Sequence, residues 1–342
     1  MKSLAPKDLL RTLQIWSEEY RILCPSRDAS GDCVFDSFRE ETFTLDYRKL
    51  PLPPKVRFIP HSEVLFTVED GRCLDAASDA DAGTLLFGIR ACDMAGISQA
   101  KSFMLRDRED LYYRRRAEKT VIVVMACAGP QNETCFCTTT SSGPYAQTGF
   151  DLQCCDTGDA LLFEAGSDRG RDLLGRGPFT DVDDTKGKEQ VDAFRQRAFQ
   201  SIPKAAHLTE AMDMLRSGNI GDEVWERLAA KCIVCGGCAF VCPTCTCFNV
   251  YDSESSVGNG LRIRSWDACL YAGFTREASG HNPRSTQALR LKRRHEHKLL
   301  YFNEKDTGDN LCGCVGCGRC SDFCPVHIGT LEVVQAIVAG RS

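Results

Sequence analysis

The sequence lacks the features by which several large classes of protein are recognised. It has no basic excess, with 42 Lys and Arg against 47 Asp and Glu and a net charge of −5, which argues against a nucleic-acid-binding surface. No run approaches the roughly 18 apolar residues of a membrane span. The first ten residues have neither the apolar run of a signal peptide nor a twin arginine. We therefore expect a cytoplasmic protein that binds no nucleic acid and has no membrane span.

Signatures of nucleotide binding and of common catalytic mechanisms are also missing. No G-x-G-x-x-G follows a strand pattern and no G-x-x-x-x-G-K-[ST] occurs, so we expect no flavin or nucleotide in this chain. No separate C-x3-C-x2-C radical motif and no Ser/His/Asp or Cys/His arrangement can be identified. The sequence therefore predicts no catalytic residue.

Cysteine, by contrast, is abundant, with 21 among 342 residues. A cytosolic chain of this length does not need disulfides for stability, and its compartment keeps thiols reduced. So many thiols indicate metal binding or redox chemistry.

Eight of the cysteines form two copies of one motif, C-x2-C-x2-C-x3-C-P. The copies are Cys232, Cys235, Cys238 and Cys242, before Pro243, and Cys314, Cys317, Cys320 and Cys324, before Pro325. This motif binds [4Fe–4S] clusters, and its fourth cysteine ligates the other cluster in two-cluster ferredoxins. We therefore predict two [4Fe–4S] clusters. The first is held by Cys232, Cys235, Cys238 and Cys324, and the second by Cys314, Cys317, Cys320 and Cys242. The alternative is a pair of zinc sites, although zinc usually takes two well-separated cysteine pairs.

Another four cysteines follow two predicted strands. Cys92 and Cys127 end these strands, and Cys135 and Cys137 lie on the loop after the second one. Because the carboxyl ends of neighbouring parallel strands share one edge of a sheet, the four thiols can converge there. They are candidates for a third [4Fe–4S] cluster, and the alternative is four buried thiols without a ligand role.

The remaining cysteines have no complete set of partners. Cys245, Cys247 and Cys269 are candidate additional metal ligands, with an outside ligand such as His281 or His297, or else free thiols packed near the clusters. We predict no role for Cys24, Cys33, Cys73, Cys154, Cys155 and Cys312.

Apolar runs predict an α/β domain over residues 1–190, with a mixed or parallel sheet. Strands are expected at 63–69, 84–90, 120–127 and 160–166, and helices at 8–20 and 94–103. The polar, Gly- and Asp-rich segment 167–190 is the predicted linker.

Beyond the linker the strand signals stop, so residues 191–342 predict an α-helical two-cluster ferredoxin domain. Helices are expected at 191–199, 208–216 and 222–231, with Asp222 as an N-cap. Residues 243–313, between the two motifs, are expected to be largely helical. Their basic run RLKRRHEHK (290–298) predicts a solvated helix face, or alternatively a docking patch for an acidic partner.

Several segments together resemble one protein family. They are RACDMAGI (90–97), CAGPQNETCFCTT (127–139), GFDLQ (149–153), CPTCTCF (242–248), RSWDACL (264–270), FTREASGHNPR (274–284) and CVGCGRC (314–320). In order and content they resemble the iron–sulfur β subunit of cytoplasmic sulfhydrogenases, and equally the A subunit of anaerobic sulfite reductase. The resemblance runs from about residue 60 to the C-terminus.

The resemblance implies a subunit of a hetero-oligomeric complex of anaerobic metabolism. Such subunits pass electrons between a flavin- and NAD(P)-binding partner of the reductase type and a catalytic redox subunit. That subunit is a hydrogenase or a sulfite reductase, and related subunits occur beside heterodisulfide-reductase-type complexes. The family's cysteines map onto Cys92, Cys127, Cys135 and Cys137, and also onto Cys245, Cys247 and Cys269.

We therefore expect a non-catalytic subunit of an oxidoreductase complex, which relays single electrons through [4Fe–4S] clusters. The alternative is that the subunit is itself catalytic. It would then reduce a sulfur or disulfide substrate at an open-site cluster near Cys245, Cys247 and Cys269.

Overall fold

The computed structural model describes residues 1–75, 83–302 and 312–340. The strands are β1 (Lys2–Leu4), β2 (Arg21–Arg27), β3 (Cys33–Ser37), β4 (Ser62–Glu69), β5 (Arg72–Asp75), β6 (Thr84–Ile89), β7 (Thr120–Met125), β8 (Leu152–Asp156), β9 (Leu161–Ala165), β10 (Thr180–Asp181), β11 (Phe248–Ser256) and β12 (Asn259–Trp266). The α-helices are α1 (Leu9–Ser17), α2 (Ala91–Leu105), α3 (Leu111–Glu118), α4 (Asp168–Leu174), α5 (Asp184–Ser201), α6 (Leu208–Ser217), α7 (Asp222–Lys231), α8 (Gly237–Phe240), α9 (Gln287–Glu296), α10 (Arg319–Asp322) and α11 (Thr330–Ala339). Short 3-10 turns occur at Pro6–Asp8 and Pro54–Arg57, and a π-helical turn occurs at His297–Tyr301.

The larger sheet has eight strands in the order β10-β1-β9-β8-β7-β6-β2-β3. Its centre is parallel, because β2 pairs with β6, β6 with β7 and β7 with β8 in the same direction, whereas the outer pairs are antiparallel. The predicted α/β region with a mixed sheet is confirmed.

Alternation along β7 shows why this sheet is covered on both faces. Val121, Val123 and Met125 belong to one apolar cluster, which includes side chains of α1 and α4. Ile122 and Val124 belong to another, which includes side chains of α2 and α3. Successive side chains of a strand point to opposite faces, so a strand that is apolar throughout is buried between two layers of helices.

The polar segment 167–190, the predicted linker, contains regular structure. It contains α4, β10 and the beginning of α5, and β10 pairs with β1 at the edge of the large sheet. Ser167 caps α4 by accepting a hydrogen bond from the Gly170 amide. The polar composition is that of exposed helix surfaces and caps.

A second, antiparallel sheet has the order β11-β12-β4-β5. It corrects two predictions, because residues 248–266 form a hairpin where a largely helical segment was expected, and β4 does not belong to the large sheet. The hairpin was missed because β11 is exposed over most of its length and carries no alternating apolar pattern. β4 and β12 come from the two sides of the predicted boundary at residue 190. Residues 303–311 of the expected helical segment lie outside the described residues.

The predicted helices at 191–199, 208–216 and 222–231 are confirmed as α5, α6 and α7. Gly221, not Asp222, is the N-cap of α7, and Asp222 is the first residue of the helix. Among the described helices, none is both long and apolar enough to cross a membrane.

Candidate functional site

The two cysteine motifs adopt the same local structure. Gly236 and Gly318 both have φ +73° and lie directly before the four-residue helices α8 and α10. Glycine adopts this left-handed conformation without strain. In each motif the third cysteine, Cys238 or Cys320, is the second residue of the helix, and the fourth follows two residues after the helix ends. The two short helices contact each other, so the motifs are related by structure as well as by sequence.

The second motif is packed tightly against the loop that carries Cys135 and Cys137. The Phe136 amide donates a 2.8 Å hydrogen bond to the Gly316 carbonyl. A Cβ atom on Gly316 would lie 2.7 Å from the main chain of Cys137. The glycines therefore permit a close approach of two main chains, and this approach places two groups of cysteines side by side.

The predicted ligands of the second cluster lie together. The Cys317 thiol interacts electrostatically with the thiols of Cys242 and Cys320, and the Cys314 thiol with those of Cys317 and Cys320. Burial raises the pKa of Cys317 to about 11. Cys242, from the first motif, is thus placed beside cysteines of the second motif.

The predicted ligands of the first cluster lie closer to the surface. The Cys238 thiol interacts with those of Cys232 and Cys235, and Cys235 is exposed. Cys324 packs on the same apolar cluster as Cys232 and Cys238. The Cys238 thiol also interacts with Cys320, so the first set adjoins the second.

Cys92, Cys127, Cys135 and Cys137 line one cavity. Cys92, the second residue of α2, follows the end of β6 by three residues, and Cys127 follows the end of the parallel strand β7 by two residues. Burial raises the pKa of both Cys92 and Cys127. The expected convergence at this sheet edge is therefore present in the fold.

This cavity also adjoins the second set. Cys317 lines it, and Cys317 packs in one apolar cluster with Cys92, Cys137, Val315 and Ile202. The three sets consequently follow one another, with Cys317 between the third and the second, and the Cys320–Cys238 pair between the second and the first.

Six buried cationic side chains surround these cysteines. They are Lys49, Lys55, Arg90, Arg294, Lys298 and Arg319. Two have carboxylate partners: Arg319 binds Asp93 through both oxygens, at 2.6 and 3.0 Å, and Lys49 binds Asp322 at 3.0 Å.

The other four cations have no carboxylate within ion-pair distance in the described part of the chain. They donate to neutral or thiol acceptors: Lys55 to the carbonyls of Ala239 and Cys245, Arg90 to that of Tyr47, Arg294 to that of Cys238 and to the Cys245 thiol, and Lys298 to the Thr244 hydroxyl. Arg90 also lines the cavity that contains Cys92 and Cys127. Its buried Nε atom has no hydrogen-bond partner among the described residues. A buried charge is costly unless it is paired. Iron–sulfur clusters ligated by thiolates are anions, so these surroundings fit them.

The basic run at 290–298 is not the solvated helix face that was predicted. Arg290, Arg294 and Lys298 are buried, and Arg290 donates a 2.9 Å hydrogen bond to the Leu270 carbonyl. These three residues are spaced by four, which places them on one face of a helix. That spacing is the signal that could have identified a buried basic face next to the cysteines.

Cys245, Cys247 and Cys269, the three candidate additional ligands, lie in two different surroundings. Cys245 is buried, and Nη1 of Arg294 donates to its Sγ at 3.5 Å. Cys247 and Cys269 line a cavity of about 680 Å³ together with His297. His281, the other suggested ligand, pairs with Glu277 at 3.4 Å on the surface and does not line this cavity.

Cys24, Cys154 and Cys155 lie in the apolar core of the α/β region, and Cys312 lies in that of the second half. Across the ranges that the structure describes, no group of three or more His, Cys, Asp or Glu side chains is arranged around a single-ion position.

Comparison with known proteins adds two findings. Residues 231–328 match the family described as 4Fe-4S dicluster domain, which supports two [4Fe–4S] clusters. The chain is 32% identical over 304 residues to sulfhydrogenase 2 subunit beta of Pyrococcus furiosus, and the alignment covers 88% of this chain and 87% of that protein. No solved structure matches the chain.

Proposed function

The chain belongs to the family of sulfhydrogenase beta subunits, and from this we propose that it is the electron-transfer subunit of a hydrogenase-type redox complex. The observation that carries the proposal is the continuous series of cysteine sets, joined at Cys317 and at the Cys320–Cys238 pair. A series of neighbouring redox sites supports the transfer of electrons through the subunit.

Each set is proposed to hold one [4Fe–4S] cluster, which when bound accepts and donates single electrons. The first site consists of Cys232, Cys235, Cys238 and Cys324, the second of Cys314, Cys317, Cys320 and Cys242, and the third of Cys92, Cys127, Cys135 and Cys137. The protein supplies thiolates, excludes water by burying the second and third sites, and balances charge through the surrounding cations.

The exposure of the first site indicates where a partner can exchange electrons with the chain. Cys235 is the one exposed cysteine among the twelve proposed ligands, so the first site is accessible to a partner at the surface. The proposed partners are a flavin- and NAD(P)-binding reductase-like subunit and a catalytic redox subunit of the hydrogenase, sulfite reductase or heterodisulfide reductase type.

The count of iron atoms tests the proposal. Anaerobically purified protein should contain about twelve irons and twelve acid-labile sulfides per chain, since three clusters of four irons are proposed. Cys127→Ser should remove about four irons and one EPR signal. The matched control is Cys154→Ala, which alters a buried thiol on β8 outside the proposed ligands and should retain all the iron.

About eight irons, unchanged in Cys127→Ser, would contradict the third site and leave the two-cluster assignment in place. Zinc with little iron would contradict the electron-transfer function itself. The alternative function, reduction of a sulfur or disulfide substrate near Cys245, Cys247 and Cys269, predicts that such a substrate changes the cluster spectrum of the isolated subunit.

A further inference from the structure

A cavity of about 680 Å³ lies beside Cys247 and Cys269, outside the three proposed ligand sets. Its volume lies within the roughly 300–1,000 Å³ typical of small-molecule sites. Three segments with no complete role in the clusters meet in its wall, namely 242–248, 264–270 and 274–284. Their convergence on one space, together with α9, indicates a site rather than a packing defect.

Two arginine side chains in the wall carry a positive charge that no described carboxylate neutralises. Arg108 and Arg284 line the cavity, and among the described residues neither side chain has a hydrogen-bond acceptor or carboxylate partner. Asp110 is the one acidic residue in the lining, and it is bound by the Arg264 guanidinium. The cavity therefore favours an anion.

His297, which also lines the cavity, is affected by neighbouring positive charges. Burial and the cations Lys298 and Arg294 lower the pKa of His297 to about 4, so its ring is neutral near pH 7. The apolar part of the wall is aromatic and consists of Phe103, Phe248, Phe274 and Tyr301. Arginines beside aromatic rings suit a ligand that joins a phosphate to a flat ring.

We propose that this cavity binds a phosphorylated planar cofactor of the flavin mononucleotide class, with its phosphate on Arg108 and Arg284 and its ring among the phenylalanines. Cys269, in the wall, interacts electrostatically with Cys238 of the first cluster site. The ligand therefore lies next to the electron path.

The choice of a flavin rests on the proposed electron-transfer function, because flavins take part in one-electron as well as hydride chemistry and the neighbouring clusters carry single electrons. The binding site itself does not depend on that function. It departs from the expectation of no flavin in this chain, which was drawn from the absence of glycine-rich phosphate loops. Here side-chain guanidinium groups take the place of such a loop.

The test is a titration of the anaerobically purified full-length chain with FMN, followed by the quenching of flavin fluorescence. We expect saturation at one FMN per chain, and about tenfold weaker binding of riboflavin, which lacks the phosphate. Arg284→Ala and the more exposed Arg108→Ala should each weaken FMN about tenfold. Arg276→Ala, on the same 274–284 segment but outside the cavity, is the control and should bind as the unaltered protein does.

Iron is measured in every variant, so that loss of flavin binding is separated from loss of the clusters. The proposal is overturned if FMN does not saturate, if riboflavin binds equally well, or if Arg284→Ala and Arg108→Ala retain full affinity. Displacement of FMN by AMP at equal concentration would also overturn it, since the site would then select a phosphate and not a flavin. Full iron with no flavin binding would leave the electron-transfer function standing.

Discussion

At the scale of single residues, six buried cationic side chains lie beside the proposed cluster ligands. The spacing of the cysteines by itself predicts cluster ligands, because C-x2-C-x2-C-x3-C-P is a motif that binds [4Fe–4S] clusters. Lys49, Lys55 and Arg90 stand in no motif, and only the fold brings them to the cysteines from distant parts of the chain. Lys49 illustrates this best, since its ammonium group lies 4.0 Å from the Cys135 thiol and also contacts the Cys317 carbonyl.

Lys49 lies between the second and third sites, so replacing it tests its electrostatic effect on both. Lys49→Met removes a positive charge that favours the more negative, reduced state of a nearby cluster. We expect the reduction potential of at least one cluster to become more negative. An EPR-monitored redox titration of the purified protein measures this shift.

Lys292→Met is the matched control, because Lys292 pairs with Asp222 on the surface at 3.3 Å and its removal should leave the potentials unchanged. Lys49→Arg keeps the charge and should largely restore the original potential. A Lys49→Met protein with full iron content and unaltered potentials would show that the residue serves packing alone.

At the scale of elements, prediction succeeded where a local pattern decides the structure. The continuous apolar runs of β6 and β7 correctly predicted parallel, buried strands. The β11–β12 hairpin was missed because its pairing with β4 joins residues far apart in the chain, and strand formation there depends on that partner more than on local composition. The regular elements within the predicted linker were not anticipated, because polar helix surfaces and loops have similar composition.

Gly318, one of two left-handed glycines of the second motif, provides a test at this scale. A Cβ atom on Gly318 would lie 2.6 Å from the main-chain carbonyl carbon of Thr134. We expect Gly318→Ala to displace the second motif from the loop that carries Cys135 and Cys137. The expected result is a loss of iron from the second and third sites, measured as iron per chain, and a lower Tm.

Gly218→Ala separates the clash from the conformational cost. Gly218 has φ +72°, like Gly318, but nothing lies within 4 Å of its Cβ position. It should lose roughly 1 kcal/mol of stability and retain its iron. Equal iron contents in the two variants would mean that the close approach at Gly318 is not needed for cluster binding.

At the scale of the whole molecule, the order of the three cysteine sets could not be predicted from the sequence. That order depends on the contact between the second motif and the loop after β7, which involves the Phe136 amide and the Gly316 carbonyl. Neither residue has a distinctive side chain at this contact. The boundary at residue 190 remains a prediction, and strands from both sides of it share the four-stranded sheet.

Removal of the clusters should show which parts of the molecule depend on them. The apolar cluster of the second half packs against Cys232, Cys238, Cys314 and Cys324, and cluster loss would leave buried cations such as Lys298 without an anion. The core of the large sheet contains none of the proposed ligands. Hydrogen exchange followed by mass spectrometry should therefore show lost amide protection in α6, α7 and α11 of the iron-free protein, and retained protection in β6–β9. Reconstitution with iron and sulfide should restore it. Uniform loss over both regions would contradict the division near residue 190, and unchanged protection throughout would contradict a stabilising role of the clusters.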